Sequence, residues 1–124
     1  MAGKNVTLRT SAATTTAKTE VGDWVDVDQF NELVVALNVT VFAARADETL
    51  DVTIERWSPN TNGYTTIATF TQIATAAAAS EEKVINSGTS PYVFGGRIRA
   101  RCITAGTWSS KSITFEVKMY AKRA

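Results

Sequence analysis

Three arginines at alternate positions, Arg97, Arg99 and Arg101, form the most suggestive spacing in the chain. On an extended strand, residues two apart share a face, so the three guanidinium groups make a row opposite Ile98 and Ala100. A guanidinium presents a planar fork of donors, and such a row holds phosphate, an acidic partner or carboxylates on a neighbouring strand. Pairing with Glu116 and other neighbours on a sheet face is the plainer arrangement. Single-stranded nucleic acid needs aromatic rings interleaved with the cations, whereas Tyr92, Phe94 and Trp108 flank the row without entering it. The run Asp23 to Asp28, followed by Asn31 and Glu32, puts Asp26 and Asp28 on one side of a strand. A calcium ion takes such oxygens, but the glycine and ligand spacing of an EF-hand are absent. The run reads as a solvated acidic edge, and no metal or other cofactor is expected. Trp24, Trp57 and Trp108 stand near turns at strand ends. Exposed, they make a carbohydrate platform or a protein hot spot; buried, they plug the ends of a sandwich.

Catalysis has little to work with. There is no histidine, so Ser-His-Asp and Cys-His arrangements cannot form and the commonest general base and metal ligand is missing. Two carboxylates at a fixed separation hydrolyse glycosides, but the acids here alternate with apolar residues, as solvated strand faces do. No glycine-rich phosphate loop is present; Gly95-Gly96 precedes a strand and reads as a bulge or a close backbone approach. The expectation is a protein without catalytic residues.

The elements that position these groups are strands. In Leu33 to Phe42 the residues Leu33, Val35, Leu37, Val39 and Val41 fall on one face, and Leu50 to Glu55, Ile98 to Cys102 and Ile113 to Tyr120 alternate in the same way. Half-buried antiparallel strands have this pattern. Ser58-Pro59-Asn60-Thr61-Asn62-Gly63 predicts a hairpin, since proline presets φ and asparagine and glycine accept positive φ. Further breaks fall at Asn86 to Pro91, Gly95-Gly96 and Ala105-Gly106. One helical turn or two is expected within Ala74 to Val84, an alanine-rich stretch without an apolar stripe. Seven or eight short strands predict an all-β antiparallel sandwich, jelly-roll-like, with Val35, Leu37, Val39, Val52, Ile54, Ile98, Ala100, Phe115 and Val117 in its core.

The chain has 124 residues and 44% hydrophobic content. That is enough for one domain burying roughly 65 to 70% of its unfolded surface without staples. Cys102 is the single cysteine, so no internal disulfide forms, and the alternation around it predicts a buried thiol. No stretch reaches the length of a membrane helix and Met1 is not followed by a signal-like region, so synthesis and assembly in a cytoplasm are expected. Net charge is +1, against a dedicated nucleic-acid binder. The charges segregate: Glu20 to Glu55 holds nine carboxylates and one base, Arg45, whereas Lys83 to Ala124 holds eight bases and one acid, Glu116. Either the two halves make an electrically polar domain, or strands from the two halves pair and neutralise each other.

Residues 1–20 differ in composition from 21–124. A short extended run, Asn5 to Thr10, leads into Ser11 to Ala17, a small polar tract with little apolar area. The expectation is an N-terminal arm over 1–20 attached to a sandwich over 21–124, with Val6, Leu8 and Arg9 adding to the sheet edge of a neighbouring subunit or particle. Deleting Met1 to Ala17 would then leave the fold intact.

The segments Leu50 to Trp57, Pro59 to Gly63, Tyr64 to Gln72, Gly96 to Ala100 and Ser112 to Val117 resemble small β-sandwich virion proteins of tailed bacteriophages, over about Asp23 to Tyr120. The resemblance implies a structural protein of the head decoration, or cement, class, which sits on the capsid exterior, often as a homotrimer, and clamps the major capsid protein. Its partners would be the capsid and itself, with no nucleic acid and no membrane. Val6, Leu8, Arg9, Arg97, Arg99, Arg101, Trp57 and Trp108 are the candidate contact residues. A tail-terminator or other head-tail structural protein is the alternative within virions, although those usually pack a helix against the sheet; outside them stands a lectin-like carbohydrate-binding module.

Overall fold

The structure, a computed structural model, describes residues 3–42, 47–74, 78–86, 96–108 and 111–123. Nine strands run through them: β1 (Lys4–Thr14), β2 (Lys18–Val21), β3 (Val25–Asp26), β4 (Glu32–Phe42), β5 (Thr49–Ser58), β6 (Gly63–Thr69), β7 (Ala79–Asn86), β8 (Arg97–Ala105) and β9 (Ile113–Lys122). One sheet has the order β1-β9-β4-β7 and the other β2-β8-β5-β6, with the two residues of β3 added to one end of β8. All pairings are antiparallel.

The connectivity reduces to one idea. The pairs β5–β6, β4–β7, β2–β8 and β1–β9 are nested around the 59–62 turn, as if one long hairpin centred near the middle of the chain had been rolled up. Rolling adds the β4–β9 and β5–β8 pairings and carries the chain back and forth between the sheets. That strand order is the double Greek key of a jelly roll. The turn is built as its sequence predicts, with Asn62 at φ 52; the Thr61 N–H donates to the Ser58 carbonyl at 3.2 Å and the Asn62 N–H to that of Pro59 at 3.4 Å.

Side chains two apart on β4, β5, β8 and β9 meet between the sheets. All nine residues expected in the core are buried, joined by Leu8, Leu33, Leu50, Phe70, Ile113 and Met119. Burying each such side chain contributes roughly 1.5 to 3 kcal/mol. A register shift between Val39 and Val41 brings Phe42 inside at the end of β4.

Two expectations are corrected. Residues 4–14 are no arm. They pair with β9 from Lys4↔Ala121 to Thr14↔Ile113, and β2 pairs with β8, so most of the first twenty residues belongs to the two sheets and residue 20 is no domain boundary. An edge strand is held by backbone hydrogen bonds, which the small side chains of Ser11 to Ala13 do not impede. The helical turn within 74–84 is also absent from the described residues. Residues 79–86 form β7, with Glu81, Lys83 and Ile85 half-buried and their neighbours exposed, paired to β4; residues 75–77 lie outside the described residues, as do the breaks at 87–91 and Gly95. Of the two charge arrangements the sequence left open, cross-strand pairing is the one the structure has. Nesting sets the acidic first half against the basic second half, giving Glu32–Lys122 at 3.0 Å, Glu48–Lys111 at 2.9 Å and Glu55 with Arg99 and Arg101.

Candidate functional site

The arginine row lies on the outer face of the β2-β8-β5-β6 sheet, since its alternates Ile98, Ala100 and Cys102 face the core. Register decides its partner. Glu55 on β5 stands opposite Arg99, and Thr53 opposite Arg101. Glu55 receives the Nε–H of Arg99 on one carboxylate oxygen at 2.8 Å and that of Arg101 on the other at 2.7 Å. Its residue exposure is 1%, because the two guanidinium groups roof it. Its own hydrogen bond to Glu55 holds Arg101 more firmly protonated than usual, against the opposing effect of burial. Glu116 is on the other sheet, where Asn38 donates to it, and takes no part.

Aromatic rings lock the row from the sides. Arg97 lies 4.8 Å over the Trp57 ring and Arg99 4.2 Å over Trp24, while Tyr64 has Arg99 at 5.1 Å and Arg101 at 4.8 Å. Trp24 and Trp57 meet edge to face, centroids 5.8 Å apart. Each cation–π contact contributes on the order of 0.5 to 1 kcal/mol at an exposed site. Together they remove rotamer freedom from three long side chains. Tyr64 was legible in the sequence as the cross-strand partner of Trp57 across the hairpin. Glu55 and Trp24 were not, since only the β5–β8 register and the path before β3 bring them here.

The remaining expected contact residues lie elsewhere. Val6 packs against the core and Leu8 is in it. Trp108 is buried at the end of the roll, stacked on Phe42 at 5.9 Å with its indole N–H donating to the Ala105 carbonyl at 3.0 Å. Gly106 turns the chain there with φ +103, where a Cβ would collide with the Asp47 carbonyl. The glycine before β8 meets its expectation of close approach: Gly96 has φ +83, and the Asp28 carboxylate sits 2.5 Å from where a Cβ would be.

Arg9 is spent inside the chain. Register shifts on either side of it swing its side chain between the sheets. Its Nε donates to Glu20 on β2 at 2.6 Å, its Nη2 to the Thr14 hydroxyl at 3.0 Å and its Nη1 to the Phe115 carbonyl, and the group lies 3.6 Å over the Phe115 ring. This clasp ties the two sheets together at one side. The Arg9 hydrogen bond holds the Glu20 carboxyl below its ordinary range, helped by Lys18 and opposed by burial.

Other groups offer less. In the acidic run, Asp26 accepts the Asp28 N–H at 2.9 Å, a local turn. Among the described residues no three His, Cys, Asp or Glu side chains gather as metal ligands. The Cys102 thiol is buried, which pushes its pKa up to about 12. A cleft of about 240 Å³ between the sheets, lined by Leu37, Thr71, Ile73, Ala79, Ser80 and Glu81, carries one carboxylate, which accepts the Thr71 N–H at 2.7 Å.

The fold and face define an antiparallel β-sandwich of jelly-roll order with a guanidinium and aromatic outer surface. No family model matches the sequence, and no curated protein does. Among solved structures, the chain is similar to the PBSX exported protein XepA, with TM-score 0.61 and 15% identity over 98% of this chain and 37% of that one. It is likewise similar to the infectious bursal disease virus VP2 subviral particle, with TM-score 0.59 and 14% identity over 96% of this chain and 31% of that one. The chain spans well under half the length of either, and the likeness is one of fold.

Proposed function

We propose that this chain is a structural protein of a virion and, within that class, a head decoration protein that sits on the capsid exterior and stabilises it. One observation carries the reading: the roll that fills nearly all of this chain recurs within a VP2 subviral particle and within a PBSX exported protein, over 96% and 98% of its length. A rigid closed sandwich suits a part whose work is to bear contacts. Catalysis is no part of the reading, since the carboxylates best placed for it are tied in ion pairs and the thiol is buried. The carbohydrate alternative asks for free coplanar rings. Here Trp24, Trp57 and Tyr64 each have a guanidinium on one face, and the two indoles meet edge to face.

The test is retention by particles. Purified protein is expected to co-sediment with expanded phage heads lacking it and to raise their resistance to heat, and to run as a homotrimer by light scattering. Binding to a glycan array with no binding to heads would overturn the reading.

A further inference from the structure

We propose that the outer face of the β2-β8-β5-β6 sheet is a docking surface for an acidic protein segment, whose carboxylates are received by the Arg97, Arg99 and Arg101 row. The chemistry stands on this face alone; the identity of the partner as a capsid subunit rests on the virion reading.

Charge comes first. Of the three guanidinium groups, Arg99 and Arg101 share the one buried carboxylate, Glu55, so the row with that carboxylate keeps a net positive charge. Arg99 and Arg101 engage Glu55 through Nε. Their terminal nitrogens make no hydrogen bond among the described residues, which leaves the two-pronged side of each fork for an incoming oxyanion. Arg97 is exposed and carries no ion pair among the described residues. Two further carboxylates lie on this face: Asp51 on β5, bonded by Gln72 at 3.0 Å, and Asp26 on β3, the cross-strand neighbour of Arg97, which accepts the Asp28 N–H.

Composition and rigidity point the same way. Trp, Tyr and Arg dominate the energetics of protein interfaces, and here they interleave. Val21, Tyr64 and Ile103, three of the five exposed large apolar side chains among the described residues, lie on this face. Apolar groups beside a cationic row fit a protein segment better than a bare phosphate. Since Glu55 and the rings already fix the arginines, little side-chain freedom remains to be lost on binding. The same contacts disfavour nucleic acid and sugars, whose bases and rings need open aromatic faces to stack on.

The experiment uses the full chain, poly-L-glutamate as probe and two exposed substitutions. Arg97→Glu reverses charge in the row; Lys118→Glu does so on the outer face of the other sheet, where Lys118 is 57% exposed. Tryptophan fluorescence reads binding through Trp24 and Trp57, and circular dichroism confirms that both variants fold; Arg97→Ala replaces Arg97→Glu if the latter does not. Poly-L-glutamate is expected to bind in a salt-sensitive way, weakened at least about tenfold by Arg97→Glu and less than about twofold by Lys118→Glu. Equal weakening by both, or binding of heparin or a single-stranded oligonucleotide with poly-L-glutamate ignored, overturns the proposal. Head co-sedimentation of the same proteins separates the two readings. If wild type and Arg97→Glu are retained alike, the docking surface is refuted and the virion reading stands. Should wild type not be retained while Arg97→Glu still abolishes poly-L-glutamate binding, the virion reading fails and the surface chemistry stands.

Discussion

Replacing Arg9 by methionine should cost this domain about 3 kcal/mol, although the residue sits on an edge strand. Methionine keeps much of the aliphatic volume and removes every donor. Arg9 is 12% exposed on its side chain, and the Glu20 side chain 29%. Hydrogen bonds to charged groups contribute about 1.5 to 3 kcal/mol each, and breaking a buried pair by removing one partner costs about 3 to 5. The lower end applies because Glu20 keeps Lys18 at 2.9 Å and some water. Domains of this kind are stable by about 5 to 15 kcal/mol. With a urea slope of about 2 kcal/mol/M, the midpoint should fall by about 1.5 M without a change of slope. Arg9→Lys should recover only part of this, since an ammonium is a point charge and cannot serve Glu20, Thr14 and Phe115 at once. The pH dependence adds a second readout. Glu20 has a folded pKa below its ordinary 4.5, so its stabilisation is fully present above the unfolded value and is lost as pH falls through the folded one. The gap between wild type and Arg9→Met should therefore be widest near neutrality and narrow in acid below about pH 4. A neutral-pH loss under about 1 kcal/mol, or a gap unchanged between neutrality and acid, would show that the clasp does not hold the sheets and refute the reasoning.

Glu55→Gln should lower stability by about 3 kcal/mol in urea unfolding, since it leaves two partly buried guanidinium groups sharing a neutral amide; a combined apolar replacement of Glu55, Arg99 and Arg101 should restore it. Deleting residues 1–17 should unfold the chain, read as loss of a cooperative thermal transition, because it strips β1 from β9 and removes Leu8 and Thr14 from the interior; a truncated protein with a normal transition would return these residues to the status of an arm. Cys102 should resist thiol reagents in mildly alkaline buffer until urea unfolds the domain, since burial pushes its pKa up to about 12; labelling of native protein at the rate of a free thiol would contradict its placement.

Part of this molecule is written locally. Period-two alternation from Leu33, Leu50, Ile98 and Ile113 names the strands and their inward faces, and side chains two apart share a face whichever strand lies beside them. The 58–63 turn is equally local, since Pro59, Asn62 and Gly63 need only their own backbone preferences. The alternation of Arg97, Arg99 and Arg101 likewise places the row on a sheet surface before any neighbour is known.

Only the tertiary structure decided the neighbours. Glu55 and Glu116 alternate with apolar residues in the same way, yet nesting about the central turn sets β5 beside β8 and sends Glu116 to the other sheet. The same nesting turned two oppositely charged halves into paired strands. Arg9 looked like an arm residue because the small polar tract Ser11 to Ala17 sets its segment apart from the later strands, and what holds that segment is the backbone of β9, a partner more than a hundred residues away that side-chain composition cannot reveal. Composition reports which surfaces avoid water; pairing depends on backbone groups that every residue shares, so the edge strands and the ion pairs they carry become visible only once the roll is closed.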